Sequence, residues 1–150
     1  MAQTLVCLRV HAAFSTKDRR PMITPEVEPE LYAYLGGTIK NLDSRCLAAG
    51  GTSNHIHLLI SQSKNLPLSR LMEEIKKSSS KWIKTKGEAL RSFGWQDGYG
   101  AFTIGQSQVE ALRRYIAGQK ERHKRQTFEE ELITLLKKYQ VEYDERYIWS

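Results

Sequence analysis

The chain has 150 residues, 23 Lys+Arg against 17 Asp+Glu, and a formal net charge of +6. Apolar residues make up 40% and charged residues 27%, and no apolar run approaches the ~18 residues of a membrane span, which excludes disordered, collagenous and membrane-spanning classes. The length indicates a single domain over 1–150, and two cysteines, Cys7 and Cys46, are too few for a disulfide scaffold and read as small core residues of a soluble protein in a reducing cytoplasm.

Thr4 to Ser15 is β-branched and apolar and predicts a strand. It runs into a basic loop, TKDRRP, that carries Lys17, Arg19 and Arg20. From Thr24 to Leu42 the period is helical, with Thr24 as N-cap, Pro25 at the first helical position, and Val27, Leu31, Tyr34, Leu35 and Ile39 along one face. Arg45 to Gly51 predicts a strand ending in a Gly-Gly turn, with Ser53 to Ser61 as its hairpin partner. Leu66 to Leu90 reads as a long amphipathic helix with its lysines outward. Gly94 to Gly105 is Gly-rich and aromatic, and Tyr99 to Ile104 predicts a short strand. Ser107 with Glu110 forms a capping-box pattern for a helix running to about Lys124. Thr127 with Glu130 forms a second one, and DERYIWS closes the chain as a short extended piece. The order strand, helix, strand, strand, helix, strand predicts an α+β, ferredoxin-like antiparallel sheet with helices on one face. Additional C-terminal helices follow a core of about 5–124 and occupy 127–150.

The positive surplus is local. Residues 64–91 carry eight Lys/Arg against three acids, residues 110–126 six against two, and residues 127–150 three against six. Clustered cations are the footprint of phosphate-backbone binding, although two solvated helix faces would look the same.

His55-Ile56-His57 is the sharpest local pattern. On a strand, i and i+2 share a face, so both imidazoles can reach one ion while Ile56 packs behind them. Two ligands are too few for a structural zinc site and no cysteine pair completes one, so a hard divalent ion with open positions is the better candidate. Tyr115, Gln119 and His123 follow at i, i+4, i+8 along one helical stripe, amid Arg113, Arg114, Lys120, Arg122 and Lys124. A phenol next to an amide and wrapped in cations can be presented to a phosphate, and Gln119 can offer its amide oxygen as a third ligand. With an ordinary pKa near ~10 the phenol needs help, and nearby cations or a metal-activated phosphate would lower the barrier. Tyr99, among glycines, is a rival nucleophile that lacks such a glutamine.

HIHLLI, followed by a helix reading Y-I-x-x-Q with basic residues after it, resembles the single-tyrosine HUH transposases of the smallest bacterial insertion sequences and their REP-associated relatives. FSTKDRRP after a strand containing His11, and WQDGYGAFTIGQSQ before the tyrosine helix, are similar to the same family, over about Leu5 to Lys124. The resemblance implies Tyr115 as the nucleophile, His55, His57 and Gln119 as ligands of Mg2+ or Mn2+, and single-stranded DNA with hairpins as substrate. It implies cleavage and rejoining through a 5′-phosphotyrosine, with no nucleotide cofactor. It also implies a homodimer in which one tyrosine helix completes the partner's site, and a hydrophobic edge strand such as Thr4–Ser15 or His55–Ile60 would invite that pairing. Lys76, Lys77, Lys81 and Lys84 would join the cations of the loop and the tyrosine helix in holding the DNA, with Trp95, Tyr99 or Phe102 as stacking platforms. ERHK carries one histidine, His123, where some relatives carry two; His123, Tyr99 and His11 are auxiliary candidates. The rival readings are a domesticated nuclease acting on REP-type repetitive hairpins, a non-catalytic nucleic-acid-binding module, and structural metal binding without DNA.

Overall fold

In the computed structural model, which describes residues 2–150, four strands form one antiparallel sheet: β1 (Arg9–Ser15), β2 (Arg45–Thr52), β3 (His55–Ser61) and β4 (Gly100–Ile104). Their order is β2-β3-β1-β4. The helices are α1 (Glu28–Asn41), α2 (Leu68–Ile83), α3 (Val109–Ala117), α4 (Gln119–Arg122) and α5 (Phe128–Lys138). The fold is the expected α+β sheet, and its alternation sorts side chains by face. Ala12, Phe14, Ile56, Leu58 and Ile60 meet the inner faces of α1 and α2 in the larger core. On the opposite face Leu59 packs with Val109, Leu112 and Ile116 of α3, and Ala13 with Phe128, Leu132, Leu135 and Leu136 of α5. The C-terminal helices therefore cover the second face, the one that carries His11, His55 and His57.

Several expectations shift. Residues 2–8 form no strand, and Leu5, Val6 and Leu8 are exposed, as is Cys7; only Cys46 is partly buried. α1 starts at Glu28 with Pro29 in its first turn, because Thr24 closes a preceding turn, its hydroxyl accepting from the Val27 N–H at 3.3 Å. The amphipathic helix ends at Ile83 rather than Leu90. The Ser107 capping box does not form: a 3-10 turn over Gln106–Gln108 leads into α3, and Gly118 separates α3 from α4. The Thr127–Glu130 capping box forms as expected. The tail makes turns over 145–149 rather than a strand.

The edges of the sheet are β2 and β4, so neither β1 nor β3 is the exposed strand expected for pairing. Gly50 and Gly51 lie within β2, and the hairpin turns at Ser53-Asn54. Their role is close packing. A Cβ on Gly50 would stand 2.6 Å from the Ile116 carbonyl oxygen, and one on Gly51 would stand 2.2 Å from that of His55.

Candidate functional site

β3 and its neighbour β1 bring three histidines to the face under α3–α5. The registers Ala13↔His57 and His11↔Leu59 put His11 diagonal to His57, and the two rings lie 5.0 Å apart. His55 and His57 are fully buried, and Ile56 between them packs into the opposite core, as the strand period requires.

The break at Gly118 leaves Tyr115 at the end of α3 and Gln119 at the start of α4, both still turned to the sheet. Gln119 Oε1 lies 2.9 Å from His55 Nε2, and the Tyr115 ring stands 5.8 Å from that of His57. His123 joins them, its ring 4.4 Å from that of His55. One chain thus supplies the tyrosine, both strand histidines and the glutamine to one place.

α5 adds a residue absent from the sequence reading. Glu131 is 2% exposed and faces every group of the cluster. Its Oε1 stands 2.9 Å from His57 Nε2 and from His123 Nε2, and 3.6 Å from His55 Nε2. Its Oε2 accepts from the Tyr115 hydroxyl and, at 2.8 Å, from Gln119 Nε2. One carboxylate oxygen faces the imidazoles and the other faces the phenol. The signal in the sequence was an acid on an apolar stripe: Phe128, Leu132, Leu135 and Leu136 pack down while Glu131 shares their face.

His55, His57 and Glu131 can place one donor atom each within 4.8 Å of one another. The electrostatics suit a cation. Burial, then the neighbouring His57, lower His55 and His11 to about 3, so both rings are neutral. Burial opposes ionisation of Glu131, but hydrogen bonds from His123 and His57 outweigh it and hold the carboxyl far below the usual carboxylate range. Two imidazoles, an amide oxygen and a carboxylate form a mixed N/O donor set that can hold a divalent ion. The phenol moves against expectation. Burial first and Glu131 second push Tyr115 above its ordinary value, and Arg122, with its guanidinium 4.5 Å from the ring centroid, offsets this only in part.

The centre is closed. Phe128 stacks on His55 at 4.6 Å, and Gln119 is 1% exposed. No phosphodiester reaches these atoms while Phe128 and Glu131 keep their places.

The remaining candidates divide. Tyr99 is exposed beside α2; its ring neighbours the Lys76 ammonium, in a groove of about 640 Å3 that also carries Lys17, Arg20 and Lys77 and none of the histidines. Trp95 and Phe102 are core residues, which removes two of the three stacking platforms. Arg114, Arg122 and Arg125 line a groove of about 530 Å3 against Tyr115. Arg19, Lys120 and Lys124 line another of about 870 Å3, where Arg19 pairs with Glu129 and Lys120 with Glu28. Arg113 donates to the Leu47 carbonyl and pairs with Glu110, and so serves packing. Lys81 and Lys84 project into solvent from the end of α2. No helix among the described residues is long and apolar enough to cross a membrane.

A family model described as IS200-like transposase matches residues 4–119. Among solved structures, a candidate transposase from Deinococcus radiodurans superposes with a TM-score of 0.63 at 18% identity, covering 79% of this chain and 95% of that one. A REP-associated tyrosine transposase bound to a REP hairpin superposes with a TM-score of 0.60 at 13% identity, covering 82% of this chain and 73% of that one. At such identities these two establish the fold alone. No curated protein matches the sequence.

Proposed function

The chain belongs to the IS200-like transposase family, and on that premise we propose that it cuts and rejoins single-stranded DNA at hairpin-marked sites, with Tyr115 as nucleophile. The observation that carries this reading is the convergence of His55 Nε2, His57 Nε2, Gln119 Oε1, Glu131 Oε1 and the Tyr115 hydroxyl in one buried centre. His55, His57, Gln119 and Glu131 would hold Mg2+ or Mn2+. Such an ion supplies Lewis acidity at the scissile phosphate and offsets the charge that develops there.

The chain's own residues do the rest. The Tyr115 oxygen attacks phosphorus in line, the 3′-hydroxyl leaves, and the 5′-phosphate stays on the tyrosine. One phosphodiester replaces another, so the bond is conserved and reversal by a different 3′-hydroxyl gives strand transfer. Arg114, Arg122 and Arg125 lie where the phosphates next to Tyr115 would run, and Lys17, Arg20, Lys76 and Lys77 offer a second cationic groove for a stem. Because Glu131 stands in the centre, the core over 5–124 and the C-terminal segment 127–150 act as one catalytic unit in this reading. Access for the strand requires Phe128 to leave the His55 ring and Glu131 Oε2 to release the Tyr115 hydroxyl, while Glu131 Oε1 stays with the ligand set. A homodimer would pair through β2 or β4, the two edges.

The test is incubation with end-labelled single-stranded hairpin DNA and Mg2+ or Mn2+. A covalent protein–DNA adduct is expected, absent in Tyr115→Phe and in His55→Ala/His57→Ala. DNA binding without an adduct across a broad set of hairpins would instead identify a binding module.

A further inference from the structure

Building on the metal reading above, we propose that His11 is a positioning residue: it holds His57 in the tautomer that leaves Nε2 free for the ion, and it braces the Tyr115 ring beside it. An imidazole that offers Nε2 to a cation carries its proton on Nδ1, and that proton needs an acceptor. For His55 the acceptor in place is Asn54 Oδ1, 2.8 Å from Nδ1. For His57 it is His11 Nε2, at 2.7 Å. His11 is 1% exposed and stands on a central strand, so its place does not depend on where α5 lies. The His11 ring also meets Tyr115 edge-on, centroids 6.0 Å apart. It therefore touches both a ligand and the nucleophile.

A histidine serves here where a pure acceptor would not. With no ion bound, His57 Nε2–H donates to Glu131 Oε1, so His57 Nδ1 must accept, and His11 Nε2–H is the donor. With the ion bound, the direction reverses. The proton on His11 Nε2 would pass to His57 Nδ1, the one on His57 Nε2 would leave to water, and His11 Nδ1 would take one from water in exchange. The number of protons on the pair is unchanged. His11 Nδ1 has no hydrogen-bond partner among the described residues, and His11 lines a cavity of about 470 Å3 beside Tyr115 through which water can reach it.

The test measures Mn2+ binding to the full chain by the electron paramagnetic resonance signal of the free ion. His11→Phe keeps a ring and loses the acceptor; it should weaken Mn2+ roughly 10–100-fold, the usual cost of losing such a partner. His11→Gln, whose amide both accepts and donates, should bind within a few-fold of wild type. Wild-type affinity in His11→Phe overturns the proposal. So does an equal loss in both variants that tracks a fall in Tm, which would mark His11 as packing alone. Failure of the wild type to bind Mn2+ removes the metal reading itself, a distinct outcome. Should His11→Phe not fold, 15N imidazole spectra of the wild type with Mg2+ decide: a proton on His57 Nδ1 supports the proposal, and one on Nε2 overturns it.

Discussion

Gly50→Ala is the sharpest probe of how the sheet sets the nucleophile. The added methyl would lie 2.6 Å from the Ile116 carbonyl oxygen and 2.9 Å from its Cγ2. Ordinary contact begins near ~3.4 Å, so the end of α3 must retreat by roughly 0.8 Å. Ile116 follows Tyr115 directly, and Gln119 comes just after the break at Gly118, so both move with it. Overpacking of this kind costs about 1–3 kcal/mol, and an error near 1 Å in a reacting geometry can cost ~100-fold in rate. The rate of tyrosyl–DNA adduct formation on a single-stranded hairpin should fall by roughly 10–100-fold, with a lower Tm. Gly37→Ala is the control. A Cβ there meets nothing within 4 Å, and the helix interior should gain about 0.5–1 kcal/mol with no change in adduct rate. A Gly50→Ala protein that forms adduct at the wild-type rate would refute the link between this glycine and the site.

Glu131→Gln keeps the volume of the side chain and removes its charge; Mn2+ affinity by titration calorimetry should drop about tenfold or more, and an unchanged affinity would take Glu131 out of the ligand set. His11 and His55 sit at about 3 in the folded chain against 6.5 when unfolded, so the unfolded state binds more protons between those values. Stability is then complete above pH 6.5 and declines as pH falls toward 3, by ~2 kcal/mol per ring at pH 5. Urea unfolding of metal-free protein at pH 7, 6 and 5 reads this, and a flat profile contradicts the buried neutral rings. Arg122→Gln should weaken single-stranded DNA binding and reduce the slope of log K against log[salt] by up to ~1; an unaltered slope would place the phosphates elsewhere.

Much of this was legible along the chain. The period of two in SNHIHLLIS put both imidazoles on one face and Ile56 on the other, and the structure keeps that division. Tyr115, Gln119 and His123 reach the same place although the helix breaks at Gly118, because the break preserves the turn-by-turn spacing. Gly50-Gly51 misled: two glycines read locally as a turn, whereas Gly50 makes room for a helix end 66 positions later, at Ile116, and Gly51 for the His55 backbone on the neighbouring strand. Cys7 misled in the same way, since an apolar neighbourhood in sequence became an exposed lead-in to β1.

What the sequence determined by itself was local: which residues are cationic, which lie one or two positions apart on a common face, and which helix start is capped, as at Thr127. These follow from backbone periodicity and near-neighbour hydrogen bonds, which need no knowledge of the rest of the chain. Only the tertiary structure decided what stands opposite. It left β2 and β4 at the edges, laid α5 across the histidines, and turned Glu131 and His11 toward His57. Those choices come from burying two apolar faces of one sheet at once, and in that packing a lone acid on an apolar stripe has to find the histidines or remain uncompensated.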